Sequence, residues 1–587
     1  MKFGPLELSI ADRKQNFLPL GIMVVIMMSA VGIILARLTE LTVFRGGELR
    51  RRADENRILV RVVPAPRGII FDKNGKALTR NTPDGRAYPF DRNFSHLTGY
   101  IGEASEEEIK SDSSLNPGNI LGKTGLEKQY DKELRGIDGA ELIEVDANGN
   151  LLEVLEDQLP QAGKDIYTYL DVDLQVAMTE NLGGRKGAAV AIDPVDGSVL
   201  GLVSSPSYDP NIFQKTLNTI IPENSENSDG RKVGMSENQK VGPSGSPSSP
   251  SVLDLLNDTV NMPLFNRAIS GEYPPGSIFK LVTAAAGLSE NKINRQTLVR
   301  DTGEIRVGDF RFGNWYFDQY GKTEGEIGVV RALTRSNDIF FYKVGEWLGP
   351  DLLAGWAKKM KLGKKTGIDL SGEADGLVPD PKWREKATGE RWFLGNTYHM
   401  AIGQGDVQLT PLQAAVMTST VITGKRCTPR IKQLTISNQQ SAISCEDTGV
   451  SKSNRNLILE GMVGSCSPGG VTFPFFPWNQ SIEGQTFNEA IHQSNGMSGY
   501  PAVACKTGTA QHGGKQTKPH AWIVVAAPII ESQPSVKSAI SNSSYQLDLD
   551  SPKRIILVVL VEDAGEGSYE AAPVAKKILE KWFETNK

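Results

Sequence analysis

GAAVAIDPVDGSVLGLVS, residues 187–204, decides how the chain folds. Apolar runs on either side flank Asp193-Pro194-Val195-Asp196-Gly197, whose turn-forming residues reverse the backbone, so the stretch reads as an antiparallel hairpin. Two later runs, WIVVAAPII (522–530) and IILVVLV (555–561), are wholly apolar. A strand without polar alternation is buried on both faces, which places these two at the centre of a sheet. The periodic stretch Tyr569 to Trp582 then predicts a covering helix. Helix-forming sequence fills the middle of the chain between these strands. The expected class is therefore α+β, an antiparallel sheet packed with helices and closed by segments distant in sequence.

The 587 residues are 39% apolar and 23% charged, the balance of an ordinary globular chain with several domains. With 64 Lys+Arg against 69 Asp+Glu the net charge is -5, and no basic run recruits phosphate backbones, so nucleic acid is not an expected partner. Four Cys exclude a disulfide-built scaffold, and no Cys or His shows a ligand spacing such as CxxC or HxxxH. No metal and no cofactor are expected.

From Gln15 to Ala36 the chain carries no charge, and at 1.5 Å per residue these 22 residues span about 33 Å, enough for a bilayer core. The run is longer than a signal-peptide core and no A-x-A-like site follows it, so we read a permanent anchor at 16–37 behind a cytoplasmic tail, 1–15. Arg37, Arg45, Arg50, Arg51 and Arg52 follow the span, against Lys2, Arg13 and Lys14 before it. The positive-inside count opposes export of the body, yet large domains translocate largely regardless of charge. An inward N-terminus and an extracytoplasmic body are expected. Residues 48–175 are polar and turn-rich and read as an extended pedestal, with a catalytic domain over 176–587. Within it, residues 223–251 hold eight Ser, four Gly and three Pro against three aliphatic or Met residues, a flexible insertion by composition.

Three motifs carry chemistry. Tyr273-Pro274-Pro275-Gly276-Ser277-Ile278-Phe279-Lys280 precedes the helix former LVTAAAGL, which places Ser277 at a helix start and Lys280 one turn on, on the same face. A serine hydroxyl needs a base, and a lysine serves only when its ammonium is neutral, which burial or a second cation favours. Ser289 to Lys292 repeats the S-x-x-K spacing at an expected solvated helix end. Next, Arg335-Ser336-Asn337-Asp338 precedes an aromatic run and reads either as a helix cap or as a proton relay through Ser336, with the side chain at 338 holding Lys280 or substrate. Finally, Cys505-Lys506-Thr507-Gly508-Thr509 continues an apolar strand whose edge can bind an extended peptide; backbone N–H groups of Thr509 and Ser277 would form an oxyanion hole. Lys365-Thr366-Gly367 repeats the lysine motif's letters in what reads as a helix-ending loop.

Taken together, S-x-x-K, S-x-N and K-T-G closely resemble a class B penicillin-binding protein. PLFNRAISGEYPPGSIFK, TGIDLSGEADGLVP from Thr366, IGQGDVQLTPLQ from Ile402 and PHAWIVVAAP from Pro519 look like the family's surroundings of these motifs, and RGIIFDKNG from Arg67 and GLEKQYDKELRG from Gly125 look like its pedestal. The resemblance implies a membrane-anchored serine D,D-transpeptidase that joins peptidoglycan stem peptides, D-Ala-D-Ala donor to amine acceptor, through an acyl-enzyme on Ser277. By the same carry-over Lys280 is the base, Ser336, Asp338 and Lys506 complete the catalytic set, and Asn337, Thr507, Gly508 and Thr509 face substrate. β-Lactams would acylate Ser277, and strand polymerisation would fall to a polytopic membrane glycosyltransferase. The alternatives are a catalytically weak β-lactam-binding sensor or scaffold, and a D,D-carboxypeptidase or β-lactamase-like hydrolase. Two departures stand out. Asp338 takes a position where Asn is common, and its charge is expected to raise the Lys280 pKa. The pedestal's head is short, with Arg86 to Gly102 following Asn81 almost directly.

His96, His399, His492, His512 and His520 read as satisfied loop or core residues, and Cys505 as a small buried core residue. Among Cys427, Cys445 and Cys466 one pair is a candidate for bridging.

Overall fold

The computed structural model describes residues 18–83, 85–146, 150–214, 251–434, 444–479, 499–514, 517–532 and 544–584. The tail 1–15, the insertion as far as residue 250, and His492 lie outside them. The chain divides into a smaller unit, which runs to Pro66 and resumes over Gly136–Gly163, and a larger one, Arg67–Arg135 with Lys164 onward. The stretch 48–175 is shared between the two.

In the smaller unit, helix α1 (Leu18–Thr39) runs into a π-helical turn at Glu40–Phe44. Over Leu20–Phe44 the mean hydropathy reaches 2.3 and none of the apolar window is buried by protein, so hydrocarbon is the environment that suits its side chains. Helix α2 (Gly46–Arg57) is polar, and strands β1 (Ile58–Val63), β2 (Gly139–Val145) and β3 (Leu151–Gln158) form an antiparallel sheet in that order.

The larger unit contains, in chain order, α3 (Val172–Leu182), β4 (Gly187–Ile192), β5 (Val199–Ser205), α4 (Lys280–Ser289), β6 (Val299–Asp301), α5 (Val329–Thr334), α6 (Asp338–Lys359), α7 (Pro411–Thr423), α8 (Lys452–Ser465), β7 (Ala504–Ala510), β8 (His520–Ala527), β9 (Ile555–Val561) and α9 (Gly567–Glu584). The predicted hairpin is β4–β5: Gly197 donates to the Asp193 carbonyl at 2.9 Å, and its φ of +79° is one that glycine adopts without strain. The five-stranded antiparallel sheet has the order β5-β4-β9-β8-β7.

Side-chain alternation explains why the central strands of this sheet are almost wholly apolar. Ala188, Val190, Val524 and Val558 enter a core shared with α4, α6 and α7, whereas Ala189, Ala191, Ile523 and Val559 enter a second core under α3 and α9. Each fully buried Val or Ile contributes about 1.5–3 kcal/mol, so both faces favour apolar residues. Helix α7 begins with a capping box, Thr410 with Gln413, has Pro411 as its first residue, and stops at Gly424 with φ +77°. Among the described residues β7 is the edge strand of this sheet, with no strand paired along one row of its backbone groups.

The two pedestal-like motifs meet inside the larger unit. Arg67 pairs with Glu127 at 2.6 Å and Asp131 at 2.8 Å, and Arg86 reaches the other oxygen of Glu127 at 2.8 Å. Glu127 is fully buried, a charge that only this bidentate pairing makes tolerable.

One pair among Cys427, Cys445 and Cys466 is bridged as expected, and Cys505 is buried in the core, but a second bridge was not foreseen. Cys505 is bridged to Cys466, just beyond α8, and Cys427 is bridged to Cys445 across two short paired strands. The Cys466–Cys505 bridge clamps β7 to the end of α8 across 39 residues of sequence. On the chain-entropy account, losing it through Cys466→Ala/Cys505→Ala is expected to cost about 3–4 kcal/mol, read as a lowered melting temperature.

Candidate active site

The segment carrying Ser277 is held on three sides. Trp522 Nε1 donates to the Pro274 carbonyl at 3.0 Å, Gly276 N–H donates to the Gly403 carbonyl at 2.8 Å, and Thr283 Oγ1 donates to the Ala401 carbonyl at 2.7 Å. Ser277 is partly exposed within the 3₁₀ turn Gly276–Phe279, which leads directly into α4. Two glycines let this turn approach β7. A Cβ on Gly276, whose φ is +56°, would lie 2.8 Å from the Thr509 carbonyl oxygen, and one on Gly508 would lie 2.7 Å from that of Pro275. The missing side chain of Gly508 thus serves the contact between the serine turn and the lysine strand. Gln404 Nε2, from the IGQGDVQLTPLQ segment, donates to the Thr509 carbonyl at 3.2 Å and adds a tether that the sequence reading did not assign.

Lys280, Ser336, Asp338 and Lys506 converge. Lys280 Nζ donates to Asp338 Oδ1 at 2.7 Å, to the Ser336 carbonyl at 2.8 Å and to Ser336 Oγ at 3.4 Å. Lys506 Nζ donates to Ser336 Oγ at 2.8 Å and to the Thr507 carbonyl at 2.9 Å. Both lysines are fully buried. Ser336 sits at the junction with φ +53°, a left-handed conformation that costs a non-glycine residue of order 1–3 kcal/mol and that surrounding structure must enforce. Its hydroxyl lies between the two amines, the position a proton relay requires.

The Lys280 pKa is lowered, because burial outweighs the opposing pull of Asp338. Of the two opposing influences named from the sequence, burial and the charge at 338, burial prevails, which reverses the rise expected from Asp338. Lys506 lies well below the ordinary lysine range, through burial first and the adjacent Lys280 second. Two ammonium groups sharing one hydroxyl in a dry site repel each other, so each disfavours the charged form of the other.

Asn337, expected to face substrate, spends its amide inside the fold. It is fully buried and caps α6: Oδ1 accepts from Phe340 N–H at 2.9 Å, and Nδ2 donates to Asp301 Oδ2 at 2.8 Å. The cap reading therefore applies to Asn337, while its neighbours Ser336 and Asp338 reach the lysines. Thr507 is buried on the edge strand and Thr509 is partly buried, its Oγ1 accepting from Gly567 N–H at 3.4 Å.

The two decoy motifs lie apart from this cluster. Ser289 ends α4 and Lys292 is exposed. Thr366 and Gly367 wrap Glu373, which accepts from Thr366 N–H at 2.7 Å and Gly367 N–H at 3.0 Å. Asp369, from the same family-like segment, accepts from Tyr130 Oη at 2.6 Å and Ile431 N–H at 2.6 Å, so that motif serves the scaffold.

Buried His96 contacts the Pro263 carbonyl at 2.9 Å, and burial pushes its pKa down to about 4. His512 and His520 stack 3.8 Å apart, within 2° of parallel, beside Asp563, whose N–H donates to His520 Nδ1 at 3.2 Å. A metal binds in the plane of an imidazole, and two parallel rings at this spacing share no such position, so the trio is a hydrogen-bonded hairpin closure.

The penicillin-binding protein transpeptidase domain matches residues 187–580, and the penicillin-binding protein dimerisation domain matches residues 82–168. The peptidoglycan D,D-transpeptidase MrdA of Acinetobacter baumannii is 31% identical over 515 residues, 86% of this chain and 66% of that protein; the match thus takes in about two thirds of the relative's length. The peptidoglycan D,D-transpeptidase PbpA of Mycobacterium tuberculosis is 26% identical, over 95% of this chain and 97% of its own. Among solved structures, Pseudomonas aeruginosa PBP2 in complex with WCK 5153 superposes with a TM-score of 0.67 at 29% identity, covering 90% of this chain and 97% of that one. Helicobacter pylori PBP2, solved with MreC, shares the fold with a TM-score of 0.67 at 24% identity, over 90% and 99%. A transpeptidase-domain match this long, centred on the sheet and both lysine motifs, leaves one assignment: the chain belongs to the penicillin-binding protein transpeptidase family.

Proposed function

We propose that the chain is a membrane-anchored peptidoglycan D,D-transpeptidase that works through an acyl-enzyme on Ser277. The observation that carries this reading is the buried cluster in which Ser336 Oγ contacts both Lys280 and Lys506, one turn from Ser277. Ser277 Oγ attacks the carbonyl of the penultimate D-alanine and gives its proton to Lys280. The tetrahedral oxyanion is met by the N–H groups of Ser277 and Thr509. As the C–N bond breaks, a proton returns through Ser336 to the departing D-alanine nitrogen. An acceptor amine then attacks the ester, which forms the cross-link and frees Ser277.

The lysines divide this work through their surroundings. Asp338 favours the charged form of Lys280, whereas Lys506 is the more strongly depressed of the two. A substrate carboxylate held by Lys506 and Thr507 favours the protonated form of Lys506. A proton can then pass from Lys280 to Ser336 Oγ as the hydroxyl's own proton passes to Lys506, leaving Lys280 free as base. Substrate arrival thereby arms the nucleophile.

In this reading α1 is the anchor with its N-terminus in the cytoplasm, the catalytic domain lies outside, β-lactams acylate Ser277, and a polytopic glycosyltransferase supplies the glycan strands. The test is incubation of the purified protein with a fluorescent penicillin, followed by peptide mass mapping and assay of D-alanine release from a pentapeptide with an amine acceptor. A single adduct on the Ser277 peptide and acceptor-dependent product are expected; an adduct elsewhere, or none in folded protein, sinks the proposal.

A further inference from the structure

The residue that organises the Ser336–Asp338 turn belongs to none of the three motifs. Asp301 ends β6 and is 3% exposed. Its Oδ1 accepts from Gly303 N–H at 2.8 Å. Its Oδ2 accepts from Asn337 Nδ2 at 2.8 Å, Glu324 N–H at 3.0 Å and Asn314 Nδ2 at 3.1 Å. Asn314 is itself fully buried, and its Oδ1 accepts from Asp338 N–H at 3.2 Å. Next in sequence, Trp315 N–H donates to Asp338 Oδ2 at 3.2 Å. One carboxylate therefore grips the two residues that follow the strained Ser336, Asn337 directly and Asp338 through Asn314.

We infer that Asp301 is a positioning residue for acylation: with its two asparagines it fixes the Ser336 carbonyl, the Ser336 hydroxyl and the Asp338 carboxylate that hold Lys280 and Lys506. The inference rests on the proposed acyl-enzyme reading and adds its supporting layer. The physical reason is geometric. A left-handed serine relaxes unless the chain beside it is pinned, and Asn337 and Asp338 are the residues that carry the chain out of it into α6. Were the turn to relax, Lys280 would lose two of its three acceptors and Lys506 its hydroxyl contact, and a displacement near 1 Å in such a site costs about 10²-fold in rate. Asp301 never touches Ser277 or the lysines, so its effect must pass through this turn.

The experiment follows the second-order rate of Ser277 acylation by a penicillin across pH, per folded molecule, in the full-length protein. Asp301→Ala is expected to slow acylation about 100-fold. It should also move the acid limb of the profile to lower pH, because a Lys280 less closely paired with Asp338 loses the influence that raises its pKa. Asp301→Asn can keep its amide oxygen where Asn337, Asn314 and Glu324 converge and gives up only the Gly303 contact, so it should recover to within about tenfold of wild type. The control is Gln175→Ala on α3, which empties another buried hub: Gln175 Nε2 donates to the Leu202 carbonyl at 2.8 Å, and its Oε1 accepts from Leu202 N–H at 2.8 Å, at the opposite edge of the sheet from β7. It should lower the melting temperature without slowing acylation per folded molecule. Wild-type acylation of Ser277 together with an undiminished rate in folded Asp301→Ala overturns this inference alone; so does an equal slowing by Gln175→Ala. Absence of acylation in wild type overturns the reading beneath it instead. If Asp301→Ala does not fold, Asn314→Ala severs only the link to Asp338: a slower rate with the same acid-limb shift supports the inference, and an unchanged profile rejects it.

Discussion

Ser277→Ala is expected to abolish covalent labelling by penicillin and to lower acceptor-dependent D-alanine release by about 10⁴-fold or more, the scale on which loss of a serine nucleophile acts. The other hydroxyl of the cluster does not substitute. Ser336 is 8% exposed, its oxygen already lies between two lysine amines, and its backbone is fixed in a left-handed conformation. Because Ser277 is partly exposed in a short 3₁₀ turn anchored by the Trp522 and Gly403 contacts, the substitution should shift stability by less than about 1 kcal/mol. Intact-mass spectrometry beside a thermal melt checks both halves. An adduct persisting in Ser277→Ala would move the nucleophile to another residue.

Lys280→Met is expected to slow acylation by about 10²–10⁴-fold, the usual range for a general base. Unlike the serine change, it should also destabilise the fold by several kcal/mol. It leaves the buried Asp338 carboxylate without its cation at 2.7 Å, and breaking one partner of a buried pair typically costs about 3–5 kcal/mol. The double variant Lys280→Met/Asp338→Asn removes that orphaned charge, so it should regain much of the melting temperature while acylation stays slow. Recovery of both would mean that Lys280 acts only by stabilising the protein; recovery of neither would mean that Asp338 is not what the lysine neutralises.

The contrast between these variants follows from how differently the site's parts could be read. The hairpin at 187–204, the central strands and the covering helix obey period and turn chemistry, properties of adjacent residues, and each appears in the fold. The apolar anchor and the three motifs are likewise visible as letters in order. The place of Asn337 was not legible because a triplet before an aromatic run does not reveal which side chains point out of the turn; its neighbours reach the lysines while its own amide is spent on Asp301 and the α6 cap. Cys505 is the buried core residue its strand implies, but its bridge could not be read because the partner lies 39 residues earlier, on a helix end that only packing brings beside the strand.

By itself, then, the sequence determined the sheet, the long apolar helix and the side chains that the three motifs supply, since these depend on side-chain chemistry and short-range spacing. Tertiary structure decided the rest. Asp301 became a keystone because β6 was carried to the turn at 336–338, and the lysines lost basicity because several packed elements exclude water around them. Desolvation sums over every atom nearby, whatever its place in the chain, so no local reading of the residues could have given its size or its net sign.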